Sequence, residues 1–442
     1  MKNIPNPQEI NSLVALLSEG RYSEAATHAQ KLTVRFPLHA FGWMMLGVSF
    51  GQMGRNADAL ASLKKAAALS PNDAGVHINL GKILQDLGRQ AEAEVCFRRA
   101  LKIKPDIAEA HSNLGKILQD FGHHDEAEKC FRRALKIKPD FSAAHCNLGN
   151  TLSDLGRLDE AEACYRRALS LNPNYADAYG NLGGLLLKQG KQDAALACFQ
   201  HQIRLSPENG EARHLVAALT GENTERAPNQ YIEKIFDGYA DKFDTHLQQV
   251  LKYNSPEKLV ALVTKHSKPP AEKWRVLDLG CGTGLVGFAV APFARQLVGV
   301  DLSTKMLEKA HARNLYQRLE RMDLVTMMHA EKSASYDVIF AADVFIYLGK
   351  LDEIVSEIKR LLCPGGFVAF SIEDLETSSN EKANQGDRQE YQLNSTGRYS
   401  QSASYIAKLA ASNGFMTLEM AATHLRTEHG NPVNGHLVLW SR

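Results

Sequence analysis

The chain lacks most of what would mark it for a membrane or an oxidising compartment. No run approaches the ~18 apolar residues of a membrane span, and the N-terminal MKNIPNPQEI has no apolar core of a secretory leader. Seven cysteines include no CxxC pair, which leaves zinc unsupported, and no metal site is expected. A net charge of only +1 offers no electrostatic reason for a nucleic-acid or anionic-membrane partner. The expectation is a cytoplasmic, globular chain. Its 442 residues suffice for two or three domains with cores of their own.

What is present is repetition. The octapeptide NLGKILQD occurs at Asn79–Asp86 and again 34 residues later at Asn113–Asp120. On that period the chain aligns into units that end at Pro71, Pro105, Pro139, Pro173 and Pro207. Each carries Leu-Gly near its start (Leu80-Gly81, Leu114-Gly115), a mid-unit glycine suited to a turn between two helices (Gly88, Gly122), and a small alanine five residues on (Ala93, Ala127). A weaker unit with Gly20, Ala25 and Pro37 precedes them. Cys96, Cys130, Cys164 and Cys198 recur at one slot, as do His77, His111 and His145, which share theirs with Trp43 and Tyr179. A residue that repeats with the scaffold reads as a packing position.

These residues resemble the tetratricopeptide repeat over about residues 6–209. The resemblance implies helix pairs stacked into an all-α superhelix, with the first helix of each pair lining a groove. Asn79, Asn113, Asn147 and Asn181 all stand directly before Leu-Gly while their neighbours vary. Asn is a mediocre helix former, so propensity does not explain it there. A carboxamide carries a donor and an acceptor and can pair with both backbone groups of an extended peptide. The four are similar to the asparagine ladder of O-linked N-acetylglucosamine transferases, which implies a protein or peptide partner. The alternative is a solvated polar face.

Gly210–Thr220 reads as a helix capping the repeats, and the polar GENTERAP (Gly221–Pro228) as a linker. From Trp274 short apolar strands alternate with amphipathic helices, the pattern of a parallel sheet with crossover helices. The first strand runs into VLDLGCGTG, Val276–Gly284, whose glycines permit a sharp turn close to a ligand. The second ends in LVGVDLS, Leu297–Ser303, where Asp301 is placed to accept from ribose hydroxyls. Gly282 to Gly287 also fits the GxGxxG fingerprint of dinucleotide enzymes.

Asp278, two residues before Gly280, extends the motif to D-x-G-x-G-x-G and resembles class I methyltransferases that use S-adenosylmethionine. YDVIFAADVFIYL (Tyr336–Leu348) and LLCPGGFVAFSIE (Leu361–Glu373) are similar to that family's fourth and fifth strands. The resemblance covers about 227–442 and implies a Rossmann-like α/β domain with a seven-stranded, mostly parallel sheet. It implies cofactor contacts from Tyr239, Asp278, Gly280, Cys281, Gly282, Gly284, Asp301, Leu302, Met306, Asp323, Leu324 and Asp343. IFDGYADKFD (Ile235–Asp244) is similar to the lid helix of quinone-type methyltransferases, with Tyr239 and Phe243 shielding the cofactor. Asp343, Tyr347 and Glu373 are the candidates for catalytic proton transfer. Arg398 and Tyr399 are lid candidates, and His246 a further pocket candidate.

The expected organisation is a repeat domain over 1–209, a cap and linker over 210–227, and a methyltransferase domain over 228–442. The expected function is methyl transfer, with the repeats recruiting an extended polypeptide. The alternatives are a small-molecule methyltransferase whose repeats serve assembly or localisation, and a binding protein that uses the cofactor structurally. The acceptor atom and oligomeric state are not legible in the sequence.

Overall fold

The computed structural model describes residues 4–240, 243–245, 247, 253–267, 273–375, 389–428 and 431–442. His246 lies outside the described residues. The chain divides into two compact units, Met1–His201 and Gln202–Arg442. No helix among the described residues is long and apolar enough to cross a membrane.

The first unit is built of antiparallel helix pairs, from Pro7–Ser18 with Tyr22–Arg35 through Ser142–Asp154 with Leu158–Leu171. The mid-unit glycines turn the chain with φ between +71° and +76° at Gly54, Gly88, Gly122 and Gly156, a region that costs other residues free energy. The Leu-Gly glycines have another task. A Cβ on Gly81 would lie 2.8 Å from the Phe97 ring, and one on Gly115 2.9 Å from Phe131, so the glycine is the seat of the second helix's aromatic residue. Ala93, Ala127 and Ala161 are fully buried where the helices cross.

The repeated histidines tie the first helix of each pair to the turn that precedes it. Nε2 of His77, His111 and His145 lies 3.0, 2.9 and 3.0 Å from the carbonyls of Pro71, Pro105 and Pro139. The Trp43 indole N–H donates to Pro37 in the same way, at 2.9 Å. A ring nitrogen reaching that carbonyl accounts for Trp and His sharing the slot, whereas Tyr179, which has none, stacks on His201.

The second unit holds a seven-stranded sheet. Its strands are β1 (Trp274–Leu279), β2 (Ala294–Asp301), β3 (Arg318–Arg321), β4 (Tyr336–Ala341), β5 (Leu362–Glu373), β8 (Met416–Glu428) and β9 (Asn431–Ser441), while β6 (Tyr391–Leu393) and β7 (Tyr399–Gln401) form a separate hairpin. The spatial order is β3-β2-β1-β4-β5-β9-β8, parallel from β3 to β5 and antiparallel at β9 and β8. Alternation along β1 sends Val276 to one apolar layer and Leu277 and Leu279 to the other, so the central strands are buried on both faces.

The stretch 210–227 lies within this second unit, not at the end of the first. On helix Gly210–Thr220, buried His214 pairs through Nε2 with the Gly397 carbonyl at 2.9 Å and packs against the Tyr231 ring. Asn223 pairs with both backbone groups of β6, and the Glu225 carbonyl accepts from the amides of Gly349 and Lys350. A sequence that reads as linker is a strap, because the Asn223 side chain and the Glu225 carbonyl have backbone partners.

Gly115→Ala is expected to cost about 1–3 kcal/mol, since the Phe131 ring cannot keep its seat. Urea denaturation of the full chain, compared with wild type, reads the loss directly.

Candidate functional site

At the carboxyl ends of β1, β2 and β4 lies a cavity of about 750 Å³. This is where open parallel sheets bind ligands, because the strand order reverses there and leaves a crevice. Gly280, Gly282 and Gly284 all adopt positive φ, at 62°, 53° and 87°. A Cβ on Gly280 would strike Val344 at 2.6 Å, whereas one on Gly282 would meet nothing nearer than Phe243 at 3.9 Å. The first glycine is required for packing and the second leaves room at the cavity wall.

Asp301 joins the two loops. Its Oδ2 accepts from the Gly282 amide at 2.9 Å, and its Oδ1 from the Ser303 amide at 2.8 Å. Burial pushes this carboxyl up, and the amide donors oppose that shift. Asp278 lies beneath the glycine loop, 1% exposed, and is not a cavity-lining residue. Tyr316 donates to its Oδ2 at 2.6 Å, while Oδ1 has no partner among the described residues. Burial pushes the Asp278 carboxyl up to about 7.

Of the other expected cofactor residues, Tyr239, Cys281, Leu302, Asp323, Leu324 and Asp343 line the cavity. Gly284 and Met306 do not line it: Gly284 begins the helix Leu285–Val290, and Met306 is wholly buried under the helix Thr304–Ala312. Burial pushes the Cys281 thiol well above its usual range, which argues against a nucleophile.

The helix Asn229–Tyr239 and the turn Phe243–Thr245 cover the cavity with aromatic side chains. Phe243 stands edge-on to Phe236 and Tyr239, and Phe236 to Tyr347. Carboxylates on this cover latch to the loops below. Ser303 Oγ donates to Asp237 at 2.5 Å, and Asp244 accepts from Thr283 Oγ1 and Arg313 at 2.5 Å each.

Near the ends of β4, β5 and β8 is a cluster of three carboxylates and two guanidinium groups. Asp343 has φ +54°, a left-handed conformation at the end of β4 that costs about 1–3 kcal/mol in a non-glycine residue. Its Oδ1 accepts from Ser371 Oγ at 2.8 Å and its Oδ2 from Arg426 at 3.1 Å. Arg426, whose side chain is 4% exposed, also pairs with Glu373 and with Glu428. Arg398 pairs with the same two glutamates. Glu373 is buried in this cluster and does not line the cavity. Tyr347 does line it, and burial pushes its phenol up to about 12. Tyr399 is wholly buried and bonded to Thr224. Gln401 Nε2 holds the carbonyls of Phe345 and Leu348 at 2.9 and 2.7 Å.

Sequence reasoning missed Arg226, Asn229, Tyr253, Arg426 and Glu428, all of which line the cavity. Arg426 left a trace: it is a lone arginine beside apolar Leu425 in a final strand.

In the repeat unit a second cavity, of about 290 Å³, brings together Asn79, Asn113, Lys82 and Asp86. Asn79, Asn113 and Asn147 are half-buried, and their side chains make no hydrogen bond among the described residues. Asn181 differs, because its Nδ2 donates to Asn150 Oδ1 at 2.9 Å.

Comparison with known proteins finds relatives of both units. A family model described as a methyltransferase domain matches residues 277–368. Tetratricopeptide-repeat models match 47–88, 74–140, 142–175 and 164–197. The malonyl-[acyl-carrier protein] O-methyltransferase of Halalkalibacterium halodurans is 32% identical over 152 residues, 32% of this chain and 54% of that protein. Methyltransferase-like protein 27 of Homo sapiens is 41% identical over 85 residues, 19% of this chain and 34% of its own. The ubiquinone biosynthesis O-methyltransferase of Paracidovorax citrulli is 31% identical over 106 residues, covering 23% and 44%. The chain thus spans about half or less of these curated relatives. Among solved structures, Pseudomonas aeruginosa pilF aligns at a TM-score of 0.44 and 20% identity, over 48% of this chain and 96% of that one.

The Asp278 carboxyl yields a pH test. Its folded value lies above the unfolded 3.8, so its contribution is fully present below about pH 4 and is lost as pH rises through about 7. Asp278→Asn is expected to flatten the fall in stability between pH 4 and 7. Urea midpoints measured across that range report it, and an unchanged slope contradicts it.

Proposed function

We propose that this chain, a fusion of tetratricopeptide repeats to a methyltransferase domain, transfers a methyl group from S-adenosylmethionine to a polypeptide held by the repeats. The observation that carries the reading is the Asp301 junction: one carboxylate at the end of β2 bonded to the glycine loop after β1, at the wall of a covered cavity. The residues present fit the cofactor. Gly282 leaves room where a side chain would intrude, and Asp301, with backbone donors from Gly282, Ser303 and Leu302, keeps one of its about four lone-pair sites for a ribose hydroxyl.

The bound cofactor supplies a methyl group on a sulfonium, ready for in-line displacement. The chain's own residues align and exclude water. Tyr239, Phe236 and Phe243 roof the cavity, and removing water from a charged centre while fixing the attack line supplies much of such catalysis. Asp343 is ion-paired to Arg426 and the Tyr347 phenol stays protonated at neutral pH, so neither is a strong base as it stands. The site therefore suits an acceptor that arrives able to attack with little proton transfer.

Asn79, Asn113 and Asn147 support the recruiting role, since each offers an unengaged carboxamide at an equivalent place in successive repeats. The named relatives support a second reading, a small-molecule acceptor, because one of them is a ubiquinone biosynthesis enzyme.

Incubating lysate with methyl-labelled S-adenosylmethionine separates the two. A labelled protein band is expected with wild type, and Asp301→Ala is expected to weaken cofactor affinity by about 10- to 100-fold and remove the band. Label confined to small molecules favours the second reading, and absence of cofactor binding by wild type ends both. The variant with Asn79, Asn113 and Asn147 all changed to Ala is expected to dim the band while calorimetric cofactor affinity stays at the wild-type value. An undimmed band removes the ladder.

A further inference from the structure

The resemblance makes Asp323, after the third strand, the expected acidic contact to the cofactor's adenine, but its carboxylate is already filled. Oδ1 accepts from the Val325 amide at 3.0 Å and the Thr326 amide at 3.4 Å, capping the helix Leu324–Ala330. Oδ2 accepts from Arg226 Nη2 at 2.5 Å and from Asn229 Nδ2 at 3.2 Å. An ionised carboxylate has about four lone-pair sites, and four donors occupy them. The neighbouring guanidinium holds the Asp323 carboxyl below its usual range although burial opposes it, so it stays an acceptor for the groups it already has.

Arg226 is in the opposite situation. Its backbone forms an antiparallel bridge with Leu348, and Ala227 beside it donates to the Tyr347 carbonyl at 2.9 Å. Its Nη2 is pinned a second time, by Asn229 Oδ1 at 2.5 Å. The side chain is nevertheless 43% exposed and lines the cavity with Leu302, Leu324 and Val325. Nε and Nη1 donate to nothing among the described residues. A fixed planar cation beside aliphatic side chains can stack on a purine and donate to its ring nitrogens.

We propose that Arg226, not Asp323, is the residue that meets the cofactor's purine base, and that Asp323 is a positioning residue behind it. This rests on the S-adenosylmethionine reading above. The base-recognition end is then completed by a strap that lies outside the matched methyltransferase segment 277–368.

The test is calorimetric titration of the full chain with S-adenosylmethionine and with S-adenosylhomocysteine, using wild type, Arg226→Ala, Arg226→Lys, Asp323→Asn and the double variant Arg226→Ala/Asp323→Asn. Arg226→Ala is expected to weaken both ligands about 10-fold, and Arg226→Lys, which keeps the charge but not the plane, to recover only part of that. Asp323→Asn is expected to weaken binding in wild type and to add nothing in Arg226→Ala, the coupling that a positioning role requires. Circular dichroism melts establish that each variant is folded. Arg226→Ala binding as well as wild type, or better, overturns the assignment. So does an Asp323→Asn loss of equal size in both backgrounds, which marks direct contact. A wild type that binds neither ligand overturns the cofactor reading along with it, whereas binding by wild type with Arg226→Ala unaffected overturns this assignment alone.

Discussion

The candidate site depends on how the Asp301 carboxylate is shared. Two loops leave adjacent parallel strands, and nothing in a parallel ladder fixes them once the strands end. Asp301 does so by taking the Gly282 amide on one oxygen and the Ser303 amide on the other. The link then propagates. Ser303 Oγ accepts from the Met306 amide to cap its helix and donates to Asp237 on the cover. Loop, second strand, helix start and cover are thus one connected network. The glycines are needed because the loop turns through positive φ at Gly280, Gly282 and Gly284, where other residues are strained.

The charged cluster at the ends of β4, β5 and β8 obeys a different constraint. Five charged side chains share a poorly solvated space, and each is tolerable only because the others are present. Removing a partner from such a cluster leaves a buried charge uncompensated, which typically costs about 3–5 kcal/mol. Arg426 is the hub, since Asp343, Glu373 and Glu428 all meet its guanidinium. Its grip on Asp343 also sustains a left-handed backbone at the cavity wall. An aspartate so committed is held in one orientation at the cavity wall.

How legible was this in the sequence? The repeats were legible because a 34-residue period samples every scaffold position several times, so packing positions separate from the rest. The slot shared by Trp43 and His77 was recognised as structural, but its cause was not, because the partner is a proline carbonyl and carbonyls leave no mark in a sequence. The order of the sheet and the glycine loop followed from strand periodicity and from a resemblance carried by adjacent residues. Arg426, Arg226 and Asn229 escaped for the opposite reason. Their significance lies in contacts 53 to 97 residues away along the chain, which periodicity does not report. The strap escaped because polar, proline-containing sequence is ordinarily unstructured, and it is the partners of Asn223, Glu225, Arg226 and Ala227, distant along the chain, that make it otherwise.

Asn223 bears on the repeats as well. Its Nδ2 donates to the Tyr391 carbonyl at 3.0 Å and its Oδ1 accepts from the Leu393 amide at 2.7 Å. One carboxamide therefore grips an extended strand by a carbonyl and by the amide two residues on, regardless of side-chain identity. That is the contact proposed for Asn79, Asn113 and Asn147, made here within the chain itself. Asn181 shows the limit of the idea, because a rung that donates to Asn150 has spent part of its capacity on the scaffold. The ladder argued from four residues is therefore better founded on three, and its reach along a bound peptide is shorter by one repeat.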